Sequence, residues 1–127
     1  MIKPTLLLLS SDQAIIEMAT EAAKAGWRLT AHKETHALHD LFAEPRIGVV
    51  VLDDEAIEEA ERGRLLAQIR RRLPTASLLY VAGNHDERNE KRARTGGAHY
   101  YVSKPLVKER FAHVLQSFLR LHQGGPP

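Results

Sequence analysis

An aspartate, a lysine and a pair of serines close three short apolar runs, and their residue types point to phosphoryl chemistry with one part missing. The runs are LLLLSSD (6–12), VVVLDD (49–54) and YYVSKP (100–105). A carboxylate at a strand end can accept a phosphoryl group as a nucleophile. A hard divalent cation such as Mg²⁺ helps by binding carboxylate and phosphate oxygens together. A lysine then offsets the charge on the phosphoryl oxygens. Asp53 and Lys104 offer the nucleophile and the lysine. Pro105 biases Lys104 toward an extended backbone, which can aim the ammonium across such a site. Where a cation would want acids, the chain has Ser10 and Ser11, with Asp12 one place later.

The elements that must carry these residues alternate between strand and helix. Residues 5–9 form a continuous apolar run, as expected of a parallel strand buried on both faces. Ser11 or Asp12 can cap the helix that follows, which has Ile15, Ile16, Met18, Ala19, Ala22 and Ala23 on one side and Gly26 at its end. Residues 27–32 read as a less apolar strand at an edge. Residues 34–42 read as a short helix broken by Pro45. Residues 47–52 form the strongest strand, ended by Asp53. A helix is expected over 57–73, with Leu65, Leu66 and Ile69 inward and Pro74 as its stop. A fourth strand covers 77–81. Residues 84–95 (NHDERNEKRART) are almost wholly polar and read as an exposed helix or a mobile segment. Gly96 and Gly97 break it before a fifth strand at 98–102. A last amphipathic helix covers 106–121, and 123–127 is a linker-like tail after a single domain at 1–122.

Five β-α repeats imply a doubly wound α/β fold, a parallel sheet with right-handed crossovers and helices on both faces. Sites in such sheets form beyond the carboxyl ends of the strands, where the strand order reverses. If the first and third strands are central neighbours, Ser10, Ser11 and Asp53 meet there, and the fifth strand brings Lys104 to the same rim.

Composition narrows the chemistry. The chain is 43% hydrophobic and 27% charged, with net charge +2 and no cysteine. Thiolate metal sites, disulfides and a cysteine nucleophile are excluded. The charge gives no strong pull toward nucleic acid or a membrane surface. No apolar stretch approaches a membrane span and no signal-peptide pattern opens the chain, so a cytoplasmic location is expected. Neither a Walker pattern nor a dinucleotide fingerprint occurs.

The five-unit alternation, the VVVLD strand and the segment GAHYYVSKP with its following amphipathic helix resemble a response-regulator receiver domain over residues 3–121. The resemblance implies a (βα)₅ flavodoxin-like sheet of order 2-1-3-4-5. It implies that Asp53 matches the phospho-accepting aspartate and Lys104 the family's lysine. It also matches Tyr101 to the aromatic residue whose rotamer reports activation. Gly97 and Ala98 match the small pair before the last strand. The departures are equally specific. The family's acidic pair falls on Ser10 and Ser11, and its switch hydroxyl falls on Ala82. The Met-Pro of the loop after the acceptor is absent.

Asp53 and Asp54 are adjacent, so only one can enter the pocket. The strand pattern favours Asp53, and counting back from Ile69 favours Asp54, which is the second choice. With serines for acids, Asp53 and Lys104 nearly cancel and can pair directly. Serine hydroxyls are weak ligands for a hard cation. The expectation is therefore an atypical, non-enzymatic receiver in two-component phosphorelay signalling. Its phosphorylation would be weakened and no cofactor is expected. Its partner would be a histidine kinase, an output domain or another signalling protein. Contact, or a homodimer, is expected through the fourth helix, fifth strand and fifth helix; direct nucleic-acid or membrane binding is not. A fully competent phosphoacceptor is the alternative, requiring Mg²⁺ with Asp12 as a weak candidate ligand. A flavodoxin-like small-molecule binder or enzyme is more distant, because SSDQA lacks the glycine of a phosphate loop.

Plainer readings stand beside these. Asp53 could cap a turn, and Ser10 and Ser11 could be cap and turn residues. His32, His36 and His39 share a helical spacing but have no supporting acid for a metal site, so a solvated face is the simpler reading. The arginines at 62, 64 and 70–72 make a basic helix face, usually solvated.

Overall fold

The computed structural model describes residues 3–24, 26–35, 42 and 46–123. The strands are β1 (Thr5–Leu9), β2 (Arg28–His32), β3 (Ile47–Asp53), β4 (Ser77–Ala82) and β5 (Tyr100–Ser103). The helices are α1 (Gln13–Ala23), α2 (Arg62–Arg72), α3 (Glu87–Thr95) and α4 (Lys108–Gln123). The five strands form one parallel sheet of order β2-β1-β3-β4-β5, the order the resemblance implied. The helix expected over 34–42 lies largely outside the described residues, as do His36, His39 and residues 124–127.

Every residue of β1 and β3 is buried, while the edge strand β2 is partly exposed. Alternation along the strands then makes two cores. Leu7, Leu9, Val50, Leu52, Leu78 and Tyr80 face α2 and α3, meeting Leu65, Leu66, Ile69 and Ala93. Leu6, Leu8, Val49, Val51, Leu79 and Val81 face α1 and α4, meeting Ile15, Met18, Ala22, Phe111, Leu115 and Leu119. Each fully buried leucine of this kind contributes roughly 1.5–3 kcal/mol.

Two elements differ from expectation. The helix expected from residue 57 starts only at Arg62, because Asp54–Ala56 and Glu59–Glu61 form separate 3₁₀ turns. The Arg62 side chain pins that loop by donating to the backbone oxygen of Asp54 (3.0 Å) and of Ile57 (3.4 Å). The polar run 84–95 resolves into a helix. Asp86 caps it by accepting from the Arg88 amide at 2.9 Å. Glu87 and Glu90 stand in its first turn and Arg92 and Arg94 in its last, matching the helix dipole. Glu90 and Arg94 add an i,i+4 pair at 2.9 Å. Only Asn89 and Ala93 of this helix are buried.

Candidate functional site

Register sets the rim. Leu9 pairs with Leu52, Asp53 with Val81 and Ala82 with Ser103, so β1, β3, β4 and β5 end side by side. Asp53 continues the row of Val49 and Val51 and therefore leans toward the α1 and α4 side of the sheet. Asp54 takes the opposite direction.

Ser10 and Asp53 are both buried, and Ser10 Oγ donates to Asp53 Oδ2 at 2.7 Å. Ser10 Oγ also accepts from the Asp12 amide at 3.0 Å. The cap of α1 is Asp12, whose Oδ1 accepts from the Ala14 amide at 3.0 Å. Asp53 Oδ1 accepts from the Glu55 amide at 3.1 Å. Asp53 thus caps the following turn and belongs to the rim at once. Ser11 is exposed, and Ala82 is buried with no hydroxyl to offer.

Lys104 is held by more acid than the sequence suggested. Its Nζ lies 3.0 Å from Asp53 Oδ2, 3.0 Å from Asp12 Oδ2 and 2.6 Å from Glu55 Oε1. An ammonium is a donor only, and here three carboxylates surround it, Asp53 and Glu55 as hydrogen-bond acceptors and Asp12 as an ion-pair partner. Burial works against the charged ammonium. The hydrogen bonds to Glu55, Asp53 and Asp12 outweigh it and hold the Lys104 pKa above its ordinary value. Lys104 in turn holds the Asp12 carboxyl below its ordinary range. The expected near-cancellation of Asp53 by Lys104 is thus corrected, since three carboxylates share one cation. The peptide bond from Lys104 to Pro105 is cis.

Glu55 was not singled out in the sequence. Its side chain crosses Gly83, where a Cβ would stand 2.8 Å from Glu55 Cδ. The missing methyl at Gly83 is what lets Glu55 reach the lysine. The rim donors do not suit a hard cation well, because the serines are neutral and the ammonium occupies the centre of the acids. Among the described residues no three His, Asp or Glu side chains are placed to hold a metal ion.

No family model matches the chain, and no curated protein matches it in sequence. Solved structures do match in fold. A response regulator from Thermotoga maritima superposes with TM-score 0.78 at 18% identity, covering 94% of this chain and 99% of that one. This chain has the response-regulator receiver fold. The receiver domain of an HD-domain protein from Pseudomonas fluorescens Pf-5 gives TM-score 0.78 at 19% identity, covering 96% and 98%. A response regulator from Burkholderia pseudomallei, with a phosphorylated aspartic acid and a calcium ion, gives 0.73 at 18%, covering 96% and 71%.

The receiver sheet brings Ser10, Asp12, Asp53 and Lys104 to one rim and leaves Ser11 outside it. Tyr101 is buried and stacks on Tyr80, with ring centroids 5.8 Å apart and planes 12° from parallel. Burial raises the Tyr101 phenol above its ordinary pKa. Asp54, the second choice for the acceptor, is buried on the other face and bonded to Tyr80, Asn89 and Gly83. Asn89 was not singled out in the sequence; it is buried four residues before Ala93, one turn away on the same helix face.

Proposed function

We propose that this chain is a signalling receiver whose phosphorylation switch is weakened, and that it acts by binding a protein partner. One observation carries the reading. The Lys104 ammonium is already paired with three carboxylates of the chain itself. A phosphoryl group at Asp53 would have to displace at least one of them, and Glu55, the most exposed of the three, is the easiest to release. The negative group would also arrive beside Asp12 and Glu55, and like charges oppose it. Ser10 gives no charge to a metal that could offset this, and Ala82 has no hydroxyl to follow the phosphoryl oxygens.

The contact surface in this reading is formed by α3, β5 and α4, with a protein partner or a second copy of the chain as its occupant. A cytoplasmic setting, a non-enzymatic role and Asp53 as the position that phosphorylation would take belong to the same proposal. No described helix is long and apolar enough to cross a membrane.

The competing reading is a competent phosphoacceptor, favoured by Asp53 lying 3.0 Å from Lys104 at a strand end. Incubation with acetyl phosphate and excess Mg²⁺, followed by intact mass measurement, separates the two. The expected result is little or no added phosphoryl mass. Rapid stoichiometric addition at Asp53 would overturn the proposal. A protein partner that survives Asp53→Ala supports it, and loss of that partner counts against it.

A further inference from the structure

The residue next to the rim carboxylate does something the rim does not use. The Asp54 side chain is 4% exposed. Its Oδ1 accepts from the Gly83 amide at 2.8 Å. Its Oδ2 accepts from the Tyr80 hydroxyl at 3.0 Å and from Asn89 Nδ2 at 2.9 Å. The Arg62 guanidinium stands 3.7 Å away. One carboxylate therefore ties the end of β3 to β4, α2 and α3.

Helix α3 depends on this tie. Its only other buried residue is Ala93, and one methyl group buries too little apolar surface to hold a nine-residue helix. Asn89 is the anchor, and its Oδ1 also takes a hydrogen bond from Arg92 at 2.7 Å. Tyr101 of β5 depends on it as well, because the ring it stacks on is Tyr80. Burial, and then the neighbouring Asp54, push the Tyr80 phenol pKa up, so it stays a hydrogen-bond donor. Among the described residues no side-chain hydrogen bond joins this set to Ser10, Asp53 and Lys104. The two sets touch through the backbone between the aspartates and through Glu55 over Gly83.

We infer that Asp54 is a positioning residue that holds α3 and Tyr101, and sets the surface they form independently of any chemistry at Asp53. This deepens the proposed function, on whose reading of that surface as the contact face its signalling meaning rests. It names what fixes the face when the rim does not switch.

Hydrogen exchange followed by mass spectrometry on the full chain tests it. Amides of residues 87–95 are expected to exchange at least about tenfold faster in Asp54→Asn and in Asn89→Ala, with a smaller change in α1. Alanine is the better helix former, so faster exchange in Asn89→Ala cannot come from weaker local propensity. The double variant is expected to be no faster than the faster single one, because both remove the same tie. Asp53→Asn is expected to stay within about twofold of the parent. If Asp54→Asn does not fold, Asn89→Ala reads the same amides. Equal acceleration of α1 and α3, or equal acceleration by Asp53→Asn, would overturn the inference. Intact mass after acetyl phosphate treatment is read separately. Phosphorylation with unchanged exchange at 87–95 would sink the proposed function and leave this inference standing. Exchange that changes equally in the Asp53 variant, without phosphorylation, would do the reverse.

Discussion

Asp53 and Asp54 leave the same strand end in opposite directions and meet opposite kinds of neighbour. Asp53 enters a rim where one ammonium is shared by three carboxylates, two of them at least partly open to water. Asp54 enters a closed interior where a phenol, a side-chain amide and a backbone amide each donate to it. The rim can rearrange, because Lys104 can lose one acid and keep two. The interior cannot, because its side-chain donors Tyr80 and Asn89 are buried and Asp54 is the common acceptor. A strand's alternation, one residue apart, thus separates a place where charge can be exchanged from a place where it is fixed.

The largest expected difference follows from removing each carboxylate. Asp54→Ala takes the shared acceptor from Tyr80, Asn89 and the Gly83 amide in a largely buried site, and the neighbouring charge from Arg62. The expected loss is about 3–5 kcal/mol of unfolding free energy. Asp53→Ala leaves Lys104 with Asp12 and Glu55, and is expected to cost about 1 kcal/mol. Urea unfolding of the two variants measures both. An Asp53→Ala loss as large as that of Asp54→Ala would end the distinction between a shared and a fixed carboxylate.

Removing the cation tests the rim from its other side. Lys104→Met keeps much of the side chain's length but leaves Asp12, Asp53 and Glu55 facing one another. At neutral pH the expected loss is about 2 kcal/mol, reduced by the partial solvation of the site. The sign with pH is specific. Lys104 has its folded pKa raised above the ordinary 10.5, so its stabilisation is fully present below that value and is lost as pH rises through the higher folded value. In the variant the carboxylates repel, and the deficit shrinks as pH falls into the carboxylate range. A deficit that does not change between about pH 7 and about pH 4 would mean that packing of the lysine stem, and not charge, holds the rim.

Much of this arrangement was readable from the chain. The strands were legible because unbroken apolar runs such as 49–52 fit a sheet covered on both faces. The meeting of Asp53 and Lys104 was legible because parallel strands put their carboxyl ends on one side. The order of the sheet came from the resemblance and not from the pattern. Asp12 was read as a helix cap and a weak candidate ligand, but its pairing with Lys104, like that of Glu55, was missed because such reach depends on loop paths that spacing does not encode. For Glu55 it also depends on the absence of a side chain at Gly83, just past the end of β4 and far from Glu55 in sequence. The late start of α2 was missed because residues 57–61 carry good helix formers, and the loop is held instead by Arg62 reaching back to Asp54 and Ile57. Asn89 was hidden for a different reason: a polar residue inside a polar run gives no periodicity, and its burial is explained only by the carboxylate it meets.

The smallest expected effect belongs to Asp12, which joins the rim from the helix cap. The hydrogen bond from Lys104 holds its carboxyl below the ordinary 3.8, with burial opposing and the Ala14 amide adding to the lowering. A depressed carboxyl pKa gives stability that is present above the ordinary value and is lost as pH falls through the folded one. Asp12→Asn keeps an oxygen to cap the Ala14 amide but gives up the ion pair with Lys104. At neutral pH the variant is expected to be about 0.5 kcal/mol less stable, as for other partly exposed pairs. Below about pH 4 the two proteins should converge, because the parent loses the same ion pair by protonation. Urea unfolding at steps between about pH 6 and about pH 2 would read the convergence. A gap that stays constant across that range would assign Asp12 to the helix cap alone, and would leave Lys104 with two carboxylates that matter instead of three.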